Sequence, residues 1–374
     1  MAVDTPAPPE PPKHWEADVV LADGGTVHLR PIRPEDADAL VALHGRLSVR
    51  TRYLRYFGPY PEMPKRDIER FTRVDHHDRV ALVATLGDDL VAVGRYEGLD
   101  SDSAEVAFVV QDDQQGRGVG SILLEHLTAA ARECGIKRFV AEVLAENAAM
   151  VRVFRQAGYQ VRREFEGGVL HLEFDIDPTR RSLEVAQARE QRAEARSVRN
   201  LLHARSVAVI GASTDRSKIG NAVFGNLLRA DFNGPVYPVN PDARAVRGVR
   251  AYPTVADIPD EVDLAVVAVP AASVAEVADQ CQAKGVRGLL VMTSGFGETG
   301  RAGMSAERRL VIEARAHGMR VIGPNALGVL NTAPDVRLNA TLAPHLPGRG
   351  RVGFFSQSGA LGITILAEAA QRGL

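Results

Sequence analysis

The 374-residue sequence predicts two α/β units in series, an N-terminal α+β unit followed by a C-terminal doubly wound parallel sheet. Residues 15–176 mix strand and helix patterns, whereas residues 201–346 alternate strand and helix regularly. A chain of this length also exceeds what one hydrophobic core usually supports. Between the units, residues 177–200 are rich in arginine and glutamate with little apolar periodicity, which predicts a helical linker.

The first unit combines apolar strand runs with amphipathic helix patterns. Strands are predicted near residues 26–32, 80–86, 89–97, 104–111, 137–143, 160–165 and 169–175. Helices are predicted near residues 34–45, 48–57, 64–73, 118–133 and 147–157. The proline-rich residues 1–14 predict a disordered or polyproline II segment.

The second unit begins with a buried-type strand at residues 206–210. Further strands are predicted near 235–239, 263–269, 287–292 and 319–322, with helices near 219–229, 272–284 and 303–317. A third unit is predicted from residue 347, with a strand near 351–355 and the start of a helix. Because one strand and one helix cannot form a domain, the sequence predicts a piece of a longer protein.

Composition excludes several classes of protein. A net charge of −2 provides no basic surplus for binding nucleic acid. The two cysteines, Cys134 and Cys281, lie far apart and predict neither a disulfide scaffold nor a zinc site. The N-terminus lacks a signal-peptide core, and no apolar run approaches the roughly 20 residues of a membrane span. We therefore expect a cytoplasmic protein without membrane or nucleic-acid partners.

The glycine-rich segment that follows residues 106–110 is the strongest functional signal. An apolar strand leads into Gln115-Gly116-Arg117-Gly118-Val119-Gly120, and an amphipathic helix comes next. The first turn of a helix exposes backbone N–H groups, and the helix dipole adds positive potential there. Glycines allow a phosphate to approach the backbone closely. The pattern predicts a pyrophosphate site.

This stretch resembles motif A of the GNAT acyltransferase superfamily, Gln/Arg-x-x-Gly-x-Gly/Ala, at Gln115, Gly118 and Gly120. Residues 146–159 resemble the second motif of that superfamily, and residues 29–40 and 46–57 resemble bacterial Pat-type protein lysine acetyltransferases. The resemblance covers residues 15–176. It implies a GNAT fold, acetyl-CoA as cosubstrate and a protein substrate, with acyl-CoA synthetases such as acetyl-CoA synthetase as the expected targets.

The same resemblance implies a role for individual residues. Glu105 corresponds to the general base, and burial at the start of an apolar strand would make its carboxylate more basic. Asn147 would contact the pantetheine from the following helix. The backbone groups expected to bind CoA belong to Phe108, Val109 and Val110 for the pantetheine and to Gln115, Gly116, Arg117, Gly118, Val119, Gly120 and Ser121 for the pyrophosphate.

Other polar or aromatic positions leave alternatives open. Many GNAT enzymes have a tyrosine acid where this chain has Phe154, so we assign no general acid, and we expect Tyr159 in the core. His76-His77-Asp78 predicts a solvated loop rather than a metal site, and no metal is predicted. Four arginines at helical spacing predict either a substrate groove or a solvated face: Arg52, Arg55, Arg66 and Arg70.

A second glycine loop, residues 211–220, opens the C-terminal unit. It is not Gly-x-Gly-x-x-Gly, and the next strand ends without the acidic residue that holds an NAD ribose, which disfavours NAD. With VYPVNP, TSGFGE, GPNALG and FSQSGALG, the loop resembles the NDP-forming acyl-CoA synthetase family. Its first domain binds CoA, which implies a Rossmann-like CoA-binding domain here, with a second possible CoA site at Gly211, Ala212, Ser213 and Lys218.

Three functions follow from these signals. The first is a protein lysine N-acetyltransferase whose ligase-like CoA-binding domain is regulatory. The second is part of an NDP-forming acyl-CoA ligase with the GNAT unit as an accessory. The third is a GNAT enzyme that acetylates a small amine, with the second unit as a sensor; a closed acceptor pocket favours it, whereas an open groove favours a protein substrate.

Overall fold

The computed structural model describes residues 9–344 and 346–373, and the chain divides into two compact units, Met1–Glu194 and Ala195–Leu374. The division falls inside the predicted linker. Residues 1–8 of the segment predicted to be disordered lie outside the described residues, and Lys13–Trp15 forms a 3-10 turn. No helix of the described residues has the length and apolar character needed to cross a membrane.

The first unit contains an eight-stranded sheet in the order β1-β2-β3-β4-β5-β6-β8-β7. All neighbouring strands are antiparallel except β5 and β6, which are parallel. Seven strands match the predicted positions, and β1 was not predicted. The strands are β1 (Ala17–Val20), β2 (Thr26–Pro31), β3 (Arg79–Leu86), β4 (Asp89–Gly98), β5 (Ser103–Val110), β6 (Arg138–Leu144), β7 (Arg162–Glu166) and β8 (Val169–Asp175).

Helices cover both faces of this sheet. On one face α4 buries Ile122, Leu123 and Leu127 completely, and on the other α1 buries Leu40 and Leu43. All the predicted helices of the unit form. They are α1 (Ala37–Arg46), α2 (Val49–Tyr56), α3 (Lys65–Thr72), α4 (Val119–Glu133) and α5 (Ala148–Gln156), with short 3-10 turns at Pro34–Asp36 and Asp112–Gln114.

The parallel pair β5 and β6 is joined over three residues only. Ser103, Ala104 and Glu105 pair with residues 138–140, and beyond this point β5 pairs only with β4 while β6 pairs only with β8. The two strands therefore diverge after Glu105. The divergence opens a gap in the middle of the sheet, and backbone groups that face the gap lose their strand partners.

Helix α6 (Arg180–Leu202) occupies most of the predicted linker, and it contains the division between the units. Its N-terminal half packs on the first unit. Arg189 donates two hydrogen bonds to Glu125 of α4, at 2.9 and 2.6 Å, and both side chains are about a quarter exposed. Gly158 lies so close that a Cβ there would be 2.7 Å from the Cα of Ser182.

The second unit is built on five parallel strands in the order β10-β9-β13-β14-β15, as predicted for a doubly wound sheet. Its strands are β9 (Val207–Ile210), β10 (Val236–Val239), β11 (Ala245–Val246), β12 (Val249–Arg250), β13 (Leu264–Val267), β14 (Gly288–Val291), β15 (Arg320–Ile322), β16 (Gly328–Asn331) and β17 (Leu338–Thr341). Its helices are α7 (Ile219–Arg229), α8 (Val274–Lys284), α9 (Arg301–Ala316) and α10 (Gly359–Arg372), with 3-10 turns at Ala271–Ser273 and Gly297–Thr299.

Two features of this unit differ from the prediction. The hairpins β11–β12 and β16–β17 were not predicted, because strands of two to four residues are too short for a hydrophobic period to appear. Residues 351–355 were predicted as a strand but form none, and Phe355 is 89% exposed. An isolated strand has no partner for its backbone groups and is not stable. The helix predicted after it is confirmed as α10.

We expect Gly220→Ala to destabilise the second unit by about 1–3 kcal/mol, because overpacking at a close backbone contact forces the chain apart. An added Cβ would lie 2.1 Å from the carbonyl oxygen of Gly211. Scanning calorimetry should show a lower transition temperature for this unit. Gly353→Ala, where a Cβ meets nothing within 4 Å, is the control. Equal transitions for Gly220→Ala and the wild type would contradict the close contact.

Candidate active site

A cavity of about 560 Å³ occupies the gap between the diverging strands β5 and β6. Glu105 lies at its apex, where the pairing of the two strands ends. Helix α2, the loop before α4 and the start of α5 complete the walls. The structure brings most of the predicted residues to this cavity: Glu105, Phe108, Val109, Val110, Gln115, Gly116, Gly118, Val119, Gly120, Ser121 and Asn147.

Strand β5 presents backbone groups to the cavity at every second residue. The N–H of Gln111 donates to Val91 of β4, so in antiparallel alternation the odd-numbered residues of β5 face β4. Val106, Phe108 and Val110 therefore face the gap. A chain that carries amides can bind to this edge as an additional strand does. Of the three residues predicted to pair with pantetheine, Phe108 and Val110 have the required orientation, whereas the backbone of Val109 faces β4.

The loop before α4 has the backbone geometry of an anion site. Gly116 and Gly118 have φ angles of 78° and 90°, which glycine adopts without strain. The first hydrogen bond of α4 is donated by the N–H of Ile122 to the carbonyl of Gly118. The preceding N–H groups of Val119, Gly120 and Ser121 therefore have no acceptor within the helix. They lie at the N-terminus of α4, which is the positive end of the helix dipole. This arrangement suits a diphosphate.

Two polar side chains of the loop stabilise the loop itself. The side chain of Gln115 donates to the carbonyl of Val110 at 3.0 Å. Arg117 does not line the cavity; its Nε donates to Asp23 at 2.6 Å, it also bonds to Gln114, and its carbonyl accepts from Ala22 at 2.8 Å. Desolvation opposes ionisation of Asp23, but the bond and the charge of Arg117 outweigh it and lower the pKa of Asp23. The predicted role of Arg117 rests on its backbone alone.

Asn147 begins α5 and lines the opposite wall. Its side-chain oxygen accepts the N–H of Met150 at 3.1 Å, which caps the helix. The capping bond orients the side chain towards the cavity and leaves the amide nitrogen as a donor for a ligand. The cap explains why an asparagine stands here, and a contact with pantetheine stays a prediction.

Glu105 has the predicted position but not the predicted burial. Its side chain is exposed, because Glu105 lies near the beginning of β5, where the sheet ends, and faces away from α4. Glu97 of β4 lies directly opposite and is bonded to Arg70. A carboxylate at this apex can accept a proton from an incoming amine directly or through one water. The predicted burial of Glu105 is wrong.

The two aromatic residues considered for acid catalysis lie in the core. Phe154 is 1% exposed and packs against Phe108, with ring centroids 5.9 Å apart. Tyr159 stacks on Phe174 at 5.4 Å, as expected for a core residue, and does not line the cavity. Among the described residues that line the cavity none is a tyrosine, histidine or cysteine. The assignment of no general acid stays a prediction.

Helix α2 contributes a wall for which the sequence offered Arg55 as one alternative but did not identify Arg50 or Thr51. Arg50, Thr51 and Arg55 line the cavity from this helix. Asp112 fixes the start of α2 by accepting from the N–H and the hydroxyl of Ser48, at 2.9 and 2.7 Å, and from the hydroxyl of Thr51 at 2.7 Å. The helix-capping serine was a usable signal, whereas the contact with Asp112 spans more than 60 residues of sequence.

The four arginines predicted at helical spacing separate in the structure. Arg55 lines the cavity. Arg52 donates to the carbonyl of Pro61, Arg66 is 86% exposed beside Asp67, and Arg70 bonds to Glu97. Only Arg55 therefore forms part of a wall of the cavity.

His77 and Asp78 are solvated as predicted, whereas His76 is partly buried: its ring packs against Trp15 with centroids 6.5 Å apart, and its Nδ1 is buried without a hydrogen-bond partner. The ring of His77 bonds to Asp78 at 2.9 Å, with both side chains largely exposed. Over residues 9–344 and 346–373 there is no group of three or more histidine, cysteine or acidic side chains arranged to hold a metal ion.

The glycine loop of the second unit lies at the switch point of its sheet. It connects β9 to α7, and β9 stands between β10 and β13, where the strand order reverses. Ligands of doubly wound sheets bind outside the carboxyl ends of the strands at this point. Gly211, Ala212, Ser213 and Lys218 all belong to this loop, which is largely exposed from residue 214 to 219.

Side-chain amides fix the shape of this second loop. Asn221 donates to the carbonyl of Ser213 at 2.6 Å, and Asn240 donates to the carbonyl of Ala212 at 2.7 Å. Gly211 has a φ angle of 87°, and a Cβ there would lie 2.4 Å from the carbonyl oxygen of Ala268. The loop is therefore held close to the strand end at β13, as a phosphate-binding turn requires.

Comparison with known proteins gives one family for each unit. Residues 47–159 match the acetyltransferase (GNAT) family, and residues 205–332 match the CoA binding domain. The alpha subunit of acetate–CoA ligase (ADP-forming) II of Pyrococcus furiosus is 48% identical over 162 residues, which are 43% of this chain and 35% of that protein. Acetyltransferase Pat of Mycolicibacterium smegmatis is 35% identical over 164 residues, which are 43% of this chain and 49% of that protein.

A solved structure, the GNAT domain of S. lividans PAT, is 51% identical; the match covers 44% of this chain and 99% of that chain, with a TM-score of 0.43. The chain spans less than half the length of the two curated relatives above. It contains a GNAT acetyltransferase domain and a CoA-binding domain. A GNAT domain is an acyltransferase, and acetyl-CoA is its cosubstrate.

We expect Glu105→Gln to lower kcat at least about tenfold with little change in the affinity for acetyl-CoA, because the amide cannot accept the amine proton. The measurement is CoA release together with acetyl-CoA binding by calorimetry. Glu164→Gln is the matched control, since Glu164 is an exposed strand glutamate outside the cavity. Turnover of Glu105→Gln near the wild-type rate at neutral pH would remove Glu105 from the mechanism.

We expect Gly118→Glu to abolish CoA binding to the first unit, because a carboxylate would stand beside the diphosphate at a backbone position with φ of 90°. Gly118→Ala carries the backbone strain without the charge and should retain weakened binding. Calorimetry with CoA measures both affinity and stoichiometry. Unaltered affinity in Gly118→Glu would contradict the loop assignment, and residual binding at one equivalent would reveal a site in the second unit.

Proposed function

We propose that this chain is a protein lysine N-acetyltransferase that uses acetyl-CoA. The observation that carries the proposal is the position of Glu105 at the apex of the gap between β5 and β6, with the glycine loop at the far end of the same cavity. Glu105 and Val110 are five residues apart, about 17 Å along an extended strand. A cosubstrate bound along β5 with its phosphates at the loop would place its thioester near Glu105.

In the proposed reaction the lysine amine loses a proton to Glu105 and attacks the thioester carbonyl. The lysine must be neutral to attack, while its ordinary pKa is near 10.4. The neutral amine forms the C–N bond of a tetrahedral intermediate, and its nitrogen releases the remaining excess proton to water. The C–S bond breaks when the intermediate collapses, and CoA leaves as the thiolate. A backbone N–H of β5 that faces the gap, such as that of Phe108, is suited to stabilise the negative oxygen of the tetrahedral intermediate. Water protonates the thiolate.

Exposure at the Glu105 end supports a protein rather than a small amine as acceptor. Glu105 is exposed, and Phe57 at the C-terminal end of α2 is 38% exposed although it is aromatic. A large acceptor can reach an apex that is open in this way. The expected targets are acyl-CoA synthetases, in which acetylation would remove the charge of a lysine.

For the second unit we propose a regulatory CoA site at the loop that contains Gly211, Ala212, Ser213 and Lys218. Its position at the switch point and its match to the CoA binding domain support this role. Binding of CoA or acetyl-CoA there would report the metabolic state to the acetyltransferase domain.

An ADP-forming acyl-CoA ligase is a second candidate function. Several relatives of this chain are named acetate–CoA ligases, among them that of Pyrococcus furiosus. The candidates differ in their requirements. A ligase forms acetyl-CoA from acetate with a nucleotide, whereas a GNAT enzyme consumes acetyl-CoA and needs only an acceptor amine.

The decisive experiment measures CoA release from acetyl-CoA with purified acetyl-CoA synthetase as the acceptor. We expect release that requires the acceptor, is lost in Glu105→Gln and leaves acetyl-lysine on the acceptor by mass spectrometry. Release with small amines but not with the protein would favour the small-amine enzyme. Formation of acetyl-CoA from acetate, CoA and ATP, without any acetylated acceptor, would favour the ligase.

A further inference from the structure

Arg95 in the first unit has an unusual environment for a charged side chain. It is half-buried, and its guanidinium carbon lies 3.8 Å from the ring centroid of Phe71. Among the described residues no carboxylate, carbonyl or hydroxyl oxygen forms a hydrogen bond or ion pair with it. A guanidinium that loses water without gaining an acceptor destabilises the free protein. An acceptor supplied by a ligand would remove this cost.

Two further arginines make this region positive. Arg70 is bonded to Glu97, and Arg55 lies over the ring of Tyr56 at 5.2 Å with no hydrogen-bond or ion-pair partner among the described residues. Burial and the neighbouring charge of Arg55 lower the pKa of Arg95 to about 9. Glu97 is bonded to Arg70 and Glu142 lies 3.5 Å from His171, whereas Arg55 and Arg95 have no carboxylate partner among the described residues. The group is therefore suited to attract one more anion.

Strand register places Arg95 beside the apex of the cavity. Arg95 lies opposite Ala107 and Glu97 lies opposite Glu105, so Arg95 and Glu105 are diagonal neighbours on one face of the sheet. Such neighbours are about 7–8 Å apart. Arg55 lines the cavity and lies close enough to Arg95 for its charge to act on that guanidinium. Arg95 does not line the cavity itself but lies beside its apex, so an acceptor whose amine meets Glu105 passes Arg55 and comes near Arg95.

The anion that fits here is not a phosphate of the cosubstrate. The glycine loop lies at the other end of β5, and α4 packs on the opposite face of the sheet, where a Cβ on Gly94 would be 2.8 Å from Leu127. Arg95 follows Gly94 and faces the other side. The ligand must come from the acceptor side of the cavity, where the proposed substrate carries its lysine.

We propose that Arg55 and Arg95 form a recognition site for a carboxylate of the acceptor, so that the preferred target lysine has an acidic side chain close to it in space. This inference rests on the proposed acetyltransferase function and adds the chemical class of the acceptor. Arginine binds a carboxylate through paired N–H donors, which gives geometric as well as electrostatic selection. The role is specificity rather than chemistry, since neither arginine needs to contact the reacting atoms.

The test uses the full chain, acetyl-CoA and a set of nonapeptides with one central lysine among glycines and alanines. One glutamate occupies each of the four positions on either side in turn, and every peptide has a glutamine counterpart. Free lysine and lysine amide form a second pair, which separates a small acidic amine from a peptide. We expect kcat/KM for the glutamate peptide to exceed that of its counterpart at least about tenfold for one or more positions.

Variants then assign the preference to the site. Arg55→Gln and Arg95→Gln should each abolish the preference for glutamate while the KM for acetyl-CoA is unchanged. Arg66→Gln, on an exposed arginine of α3, should retain it. Either of the two site variants keeps the test valid if the other fails to fold. Preference retained in both folded variants would overturn the proposal.

The outcomes separate this inference from the function on which it rests. Equal turnover of glutamate and glutamine peptides, and of lysine and lysine amide, would overturn carboxylate recognition and leave the acetyltransferase intact. If no amine is acetylated, calorimetry of the same peptides with the CoA-saturated protein decides. Tighter binding of a glutamate peptide that depends on Arg95 would support the site although the proposed function fails, and equal binding would overturn both.

Discussion

The divergence of β5 and β6 is the constraint on which the active-site half of the molecule depends. Strand pairing satisfies backbone hydrogen-bonding groups, and a sheet that separates at its centre leaves such groups without partners. Here the separation begins after Glu105 and Val140, and Val106, Phe108 and Val110 face the opening. The protein tolerates this because the gap lies at a cavity that solvent or a cosubstrate fills. The position of every other site residue follows from the two strand directions that result.

The second unit has a different sheet topology but also places a glycine loop before the N-terminus of a helix. In both units a strand leads into a loop that contains a glycine with positive φ, and a helix begins after it with its first N–H groups towards the loop. The supports differ. Arg117 and Asp23 hold the first loop, whereas Asn221 and Asn240 hold the second with amide donors. Each unit therefore fixes a flexible glycine turn with hydrogen bonds from elsewhere in its own fold.

The sequence alone predicted most secondary-structure elements and the glycine loop before α4, because these depend on local signals. Apolar periodicity placed seven strands of the first sheet, and the glycine spacing placed the turn before α4. It failed where a property depends on distant residues. Burial of Glu105 was inferred from its apolar neighbours in sequence, but the fold leaves its side chain exposed. The environment of Arg95 depends on Phe71 and Arg55, which belong to other elements, and no local pattern describes it.

The carboxylate of Asp112 joins the two walls of the cavity. It belongs to the loop that leads to the glycine turn, and it holds Ser48 and Thr51 at the start of α2, the helix that faces the acceptor. A cosubstrate that stiffens this loop therefore also stiffens the acceptor wall. Thermodynamic linkage makes the effect mutual, so an acceptor that binds more tightly in the presence of acetyl-CoA must raise the affinity for acetyl-CoA by the same factor. Any cooperativity between the two substrates would then depend on Asp112, which does not line the cavity.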